Sequence, residues 1–166
     1  MKYRYAICLF LVAYIIQTTL MNIVSIAGVT PNLLLCLVVI FSFLYDDRYY
    51  GLVLGVIFGL LYDIAFTQYV GIAALAFLII SLGIMFASVI MNREVVLSII
   101  IVGASATVVY TLIYWAIMAM LGSNYSFVFM LRFLMISVGY NTVVVLILYL
   151  LMIRKVIRHY QDRYYK

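Results

Sequence analysis

"PNLLLCLVVIFSFLYDDRYYGLVLGVIFGLLYD", residues 31–63, holds two oily runs split by a short charged break. The second run carries Gly51, Gly55 and Gly59 four residues apart and ends in Asp63. Glycine weakens a helix in water, and a carboxylate is costly in hydrocarbon. Both can be useful in one segment only if the surroundings favour close helix contact and shelter the charge.

Those surroundings are lipid. Of the 166 residues, 70% are hydrophobic and 9% charged, and the mean hydropathy is +1.30, far outside the range of soluble domains. Apolar runs of roughly 18 or more residues can cross a hydrocarbon core about 30 Å thick as helices. No hydrophilic stretch is long enough for a soluble domain, which excludes an extramembrane catalytic domain.

Working outward from 31–63, the sequence predicts spans at about 5–25, 32–45, 49–66, 71–91, 95–121 and 128–153. The second is short for a full crossing, and Pro31 marks its start, because a helix tolerates proline in its first turn. The connections are brief: "DDR" at 46–48, "TQYVG" at 67–71, "NRE" at 92–94 and "GSNYS" at 122–126. The expected fold is therefore all-α, a polytopic membrane helical bundle of about six transmembrane helices. It forms one domain over 1–153, followed by a basic tail over 154–166.

Basic residues concentrate on the cytoplasmic side of membranes. Lys2, Arg4, Arg48, Arg93 and the tail residues Arg154, Lys155, Arg158, Arg163 and Lys166 all fall on one side if six spans alternate. Both termini are thus expected in the cytoplasm, with Arg132, near the outer end of the sixth span, as the exception. The small residues "SIA" at 25–27 would suit signal peptidase, but the first apolar run is longer than a signal core, and its removal would spoil the charge pattern. An uncleaved first span is expected. No internal repeat of the kind seen in many secondary transporters is evident.

Gly51, Gly55 and Gly59 drift by only about 40° per step on a 3.6-residue helix and make one small-residue groove. In lipid, helices associate through close van der Waals approach, so the groove is a packing face, for a partner within this chain or outside it. Asp63 extends the same face. Arg132 is the candidate partner, since the third and sixth spans put both residues about one turn inside the outer surface. The pair could form an ion or ligand site, or simply pin two spans together. Gln17, Asn22 and Asn141 cannot satisfy themselves on their own helix as hydroxyls do, and are expected to be interhelical hydrogen-bond donors rather than ligand contacts.

The tail "RKVIRHYQDRYYK" suits an anionic cytoplasmic leaflet rather than nucleic acid. Its His159 has no nucleophile or acid at a motif spacing. Cys8 and Cys36 read as packing residues without metal-type spacing. No catalytic, cofactor or metal motif is present, and no enzyme is expected.

Residues 30–86 resemble the core of MreD, the rod shape-determining membrane protein family. The resemblance rests on the Pro31-led second span, the charged turn Asp46 to Arg48, the steps Gly51, Gly55 and Gly59 closing in "GLLYD" at Asp63, and Gly71 opening the fourth span. It implies a non-enzymatic scaffold or regulatory subunit of the elongasome in the bacterial cytoplasmic membrane. Such a subunit would bind MreC and work beside MreB, RodA and a class B penicillin-binding protein in peptidoglycan synthesis. It also implies a fold similar to the substrate-binding S components of energy-coupling-factor transporters, which supplies the alternative reading. The AxxxA docking pattern often found in those components is absent here, since Ala6 and Ala13 lie seven apart.

Overall fold

The computed structural model describes residues 3–19, 23, 25, 28–45, 49–93, 95–123 and 126–164, with side-chain surroundings up to Ile153. Six helices follow in order: α1 Tyr3–Thr19, α2 Leu33–Leu44, α3 Tyr49–Phe66, α4 Ile72–Ile90, α5 Val96–Met120 and α6 Phe127–Tyr164. The apolar runs thus become helices almost residue for residue from α2 to α5. Helix α1 is described as far as Thr19, and Ile23 and Ser25 lie outside any helix, short of the expected limit at about 25. Helix α6 runs on through the basic segment, while its apolar part, Phe127–Ile153, coincides with the expected sixth span.

Helices α3, α4, α5 and the first part of α6, Phe127–Ile153, are long and apolar enough to cross a membrane, while α1 and α2 are shorter. A multi-pass membrane bundle is the architecture this composition dictates, because only internally hydrogen-bonded helices or closed barrels can span hydrocarbon.

Helix α2 is its hub. Every residue from Leu34 to Leu44 is buried, and α1, α3, α4, α5 and α6 all pack around it. A helix that is hydrophobic on all sides belongs in such a position. Its 12 residues span only about 18 Å, well short of a hydrocarbon core of about 30 Å.

The glycine row of α3 sets the register against this hub. A Cβ at Gly51 would meet Ser42 and the backbone of Phe41; one at Gly55 would lie 2.8 Å from Val38 Cγ2. One at Gly59 would lie 2.9 Å from the Ala74 backbone of α4. The groove therefore packs inside the chain, on α2 and α4, while Val53, Ile57, Leu60, Leu61 and Ile64 face outward. Since Gly51 lies against Ser42 and Gly55 against Val38, α2 is level with the beginning and middle of α3. The length that α2 lacks is missing at the opposite end of the bundle, away from the chain termini. That opposite end is the distal end of the bundle.

Aromatic contacts close the rest of the core. Phe10 of α1 sits 5.5 Å from both Phe41 of α2 and Phe58 of α3, centroid to centroid. The Tyr14 hydroxyl donates to the Leu61 carbonyl at 3.4 Å, and buried Tyr149 of α6 donates to the Arg93 carbonyl at 3.1 Å.

Candidate functional site at the distal end

Two helices begin inside this bundle, and the first turn of any helix exposes N–H groups with no partner of its own. In hydrocarbon each such group costs several kcal/mol unless the protein supplies an acceptor. The polar residues of the distal half meet that requirement.

At the start of α4, the N–H groups of Gly71, Ala73 and Ala74 donate to Asp63 Oδ2 at 3.0, 2.8 and 3.4 Å. Gly71 is the N-cap with φ +107°, a left-handed conformation that favours glycine, and has no side chain to offer. Asp63, at the end of the preceding helix, acts as the cap from a distance, and its charge complements the positive end of the α4 dipole. Thr67 tightens the connection, its single hydroxyl proton shared between the Tyr69 carbonyl at 2.7 Å and the Asp63 carbonyl at 3.0 Å. Asp63 is completely buried.

The expected partnership with Arg132 is not what the structure contains. Arg132 is exposed on α6, and α3 packs on α1, α2 and α4 with no close backbone approach to α6 among the described residues. Arg132→Gln is accordingly expected to leave thermal stability within about 0.5 kcal/mol of the parent, as surface substitutions do. A double-mutant cycle with Asp63→Asn should show no coupling, which thermal unfolding in detergent can measure.

At the start of α2, Asn32 is the N-cap, its side chain accepting from Leu35 N–H at 3.0 Å. Two distant helices complete the cap: Asn141 Oδ1 of α6 accepts from Asn32 N–H at 2.8 Å, and Gln17 Oε1 of α1 accepts from Leu33 N–H at 2.7 Å. The Asn141 amide in turn donates to Thr107 Oγ1 of α5 at 3.4 Å. Gln17 and Asn141 do join helices, as acceptors for backbone. Asn22 lies outside the described residues. Pro31 is buried and stands one residue before the cap, not in the first turn, where its missing N–H removes one donor that would need a partner. The cap residue itself was legible in the sequence, since an asparagine just before an apolar run is an N-terminal signal.

Above the start of α2 lies a cavity of about 410 Å³, lined from α1, α3, α5 and α6 as well as from Thr30 and Asn32. Its floor holds the α2 cap residues Gln17, Asn32, Thr107 and Asn141, and its walls are aromatic. Tyr110 stacks between Phe77 and Tyr114 at 5.6 and 6.3 Å, and Trp115 meets Phe127 edge-on at 5.7 Å. Nothing in the sequence singled out these aromatics, because tyrosine and tryptophan in spans also read as an interfacial belt. The cavity exists because the central helix is too short to fill it.

Among the described residues, no group of three or more His, Cys, Asp or Glu comes together. The side chains of Arg154, Lys155, Arg158 and Arg163 lie outside the described set, as does the whole of Lys166, while the backbone of α6 runs helically through the first four.

With the bundle, its glycine packing and the Asp63 cap established, comparison with known families is decisive. The family model described as rod shape-determining protein MreD matches residues 2–156. The chain belongs to the MreD family. No curated protein matches, and neither does any solved structure. MreD is a family of shape-determining membrane proteins, which gives this chain a role in rod shape determination and places it outside known enzyme families. The MreD features read from the sequence acquire structural meaning here: Pro31 precedes the α2 cap, the glycine steps set α3 on α2 and α4, and Asp63 and Gly71 together start α4.

Proposed function

We propose that this MreD chain is a non-catalytic scaffold and regulatory subunit of the bacterial elongasome. In this reading it docks the single membrane span of MreC, and together they hold MreB, RodA and a class B penicillin-binding protein in a complex that supports peptidoglycan synthesis. Both termini face the cytoplasm, in keeping with the distribution of Lys and Arg. The observation that carries the reading is the family match over residues 2–156. The geometry adds support: Asp63, Gln17 and Asn141 give their oxygens to the first turns of α4 and α2, and α6 leaves a broad apolar side open from Val128 to Leu151.

Mild-detergent purification of the tagged protein from its host, with mass spectrometry of what accompanies it, tests this. MreC is expected in near-stoichiometric amount. The docking face can be mapped without harming the fold by Gly83→Leu on α4 and Gly139→Leu on α6. Both glycines have open space around an added Cβ and are exposed. Loss of MreC with one of these and not the other locates the face. Paired ATPases in place of MreC would overturn the scaffold reading in favour of the S-component alternative.

A further inference from the structure

The distal cavity has properties that helix capping does not require. Its volume of about 410 Å³ falls within the range of small-molecule pockets, roughly 300 to 1,000 Å³. Among the described residues, no Asp, Glu, Lys, Arg or His lines it. An ion entering it would find no counter-charge and would lose its hydration at a cost of several kcal/mol. A purely apolar occupant fits poorly too. Gln17 is almost wholly buried and gives its Oε1 to Leu33, which leaves the amide NH2 as a donor at the cavity floor. The Ser137 hydroxyl belongs to the same lining, as does that of Thr111, which donates to the Thr107 carbonyl at 2.9 Å. Tyr114, Trp115 and Phe133 add flat aromatic walls, the surfaces against which a ring packs best.

Depth matters as well. Asn141, at the floor, lies about 20 Å along α6 from its first residue, so the floor sits well inside the bundle. We propose that this cavity is a binding site for a small uncharged ring compound bearing hydrogen-bond-accepting oxygen or nitrogen atoms. The ring lies between the aromatic walls, and its acceptor takes the Gln17 amide proton at the floor.

The protein carries its own reporter, because Trp115 is the single tryptophan of the chain and stands in the cavity wall. The full-length protein in phosphatidylethanolamine and phosphatidylglycerol vesicles is titrated with 4-nitroacetanilide, an uncharged planar ring with amide and nitro oxygens that quenches tryptophan. The expected result is a saturable loss of Trp115 emission above the linear loss caused by partitioning into lipid. Thr111→Phe and Ser137→Phe fill the cavity from two different helices. Each is expected to weaken the saturable component at least about tenfold, equivalent to about 1.4 kcal/mol, with helical circular dichroism retained. Ser137→Ala, which removes a lining hydroxyl without adding bulk, covers the case in which both filled variants misfold, and is expected to weaken the component several-fold. Linear quenching without saturation in the parent overturns the proposal. So does saturation with the same midpoint in every folded variant.

Discussion

Asp63→Leu is expected to lower the stability of the bundle by about 3 to 5 kcal/mol, the range seen when a buried charged partner is removed. The leucine would leave the N–H groups of Gly71, Ala73 and Ala74, now held at 2.8 to 3.4 Å, without an acceptor in an apolar setting. Each unsatisfied donor costs about 1 to 3 kcal/mol, and the favourable charge at the α4 N-terminus is lost in addition. Asp63→Asn is the discriminating companion. All three contacts use Oδ2, while Oδ1 is buried with no hydrogen-bond partner. An amide can therefore keep its oxygen on the helix and turn its NH2 to the Oδ1 side. The expected loss is then only about 1 to 2 kcal/mol, the difference between a charged and a neutral acceptor. Reversible unfolding in mixed micelles measures both. Equal, severe losses for Leu and Asn would mean that the charge itself, not the acceptor, is what α4 requires.

Of the three glycine-to-alanine changes on α3, Gly51→Ala and Gly59→Ala should be the damaging ones, at about 1 to 3 kcal/mol each, the cost of overpacking a close interface: a Cβ at Gly51 would lie 2.7 Å from the backbone N of Ser42, and Gly59 is packed as closely. A Cβ at Gly59 would lie 2.9 Å from both Cα and N of Ala74, and backbone cannot turn aside as a side chain can. The same Ala74 N–H is one of the three that Asp63 holds. Pushing α4 away from Gly59 therefore also strains its cap, and the two sites should couple in a double-mutant cycle with Asp63→Asn. Gly55→Ala meets the Val38 side chain and should cost less. Gly139→Ala, with open space around its Cβ, should be neutral or mildly stabilising, since alanine is the better helix former by up to about 1 kcal/mol. The same unfolding assay ranks all of these. If Gly59→Ala is as well tolerated as Gly139→Ala, the close α3–α4 approach is not maintained in the membrane.

These two sites also show where sequence reading succeeds and where it stops. Gly51, Gly55 and Gly59 fall on one helix face by arithmetic alone, and Asp63 joins that face by the same arithmetic. What that face touches is a different matter. Arg132 is a reasonable partner for Asp63 when judged by depth, because span lengths and alternation determine how far each residue lies from the membrane surface. Azimuth and helix order are free of that constraint, and here they place α4 beside α3 and a cavity between α3 and α6. The carboxylate finds backbone donors within its own connection before any side chain could reach it.

The amino-acid sequence by itself determined that the chain lies in a membrane, how many helices it makes and nearly where α2 to α5 begin and end, because run length and hydropathy act locally and lipid forbids unpaired backbone. Its Pro31, glycine and Asp63 pattern was also sufficient to indicate the MreD family. Only the tertiary structure decided that the shortest helix is the central one, that Gln17, Asn32 and Asn141 from three separate regions meet at its first turn, and that a cavity remains above it. Those outcomes depend on which helices become neighbours. In lipid that choice is governed by small differences in close packing and hydrogen bonding between faces of similar oiliness, and hydropathy carries no record of it.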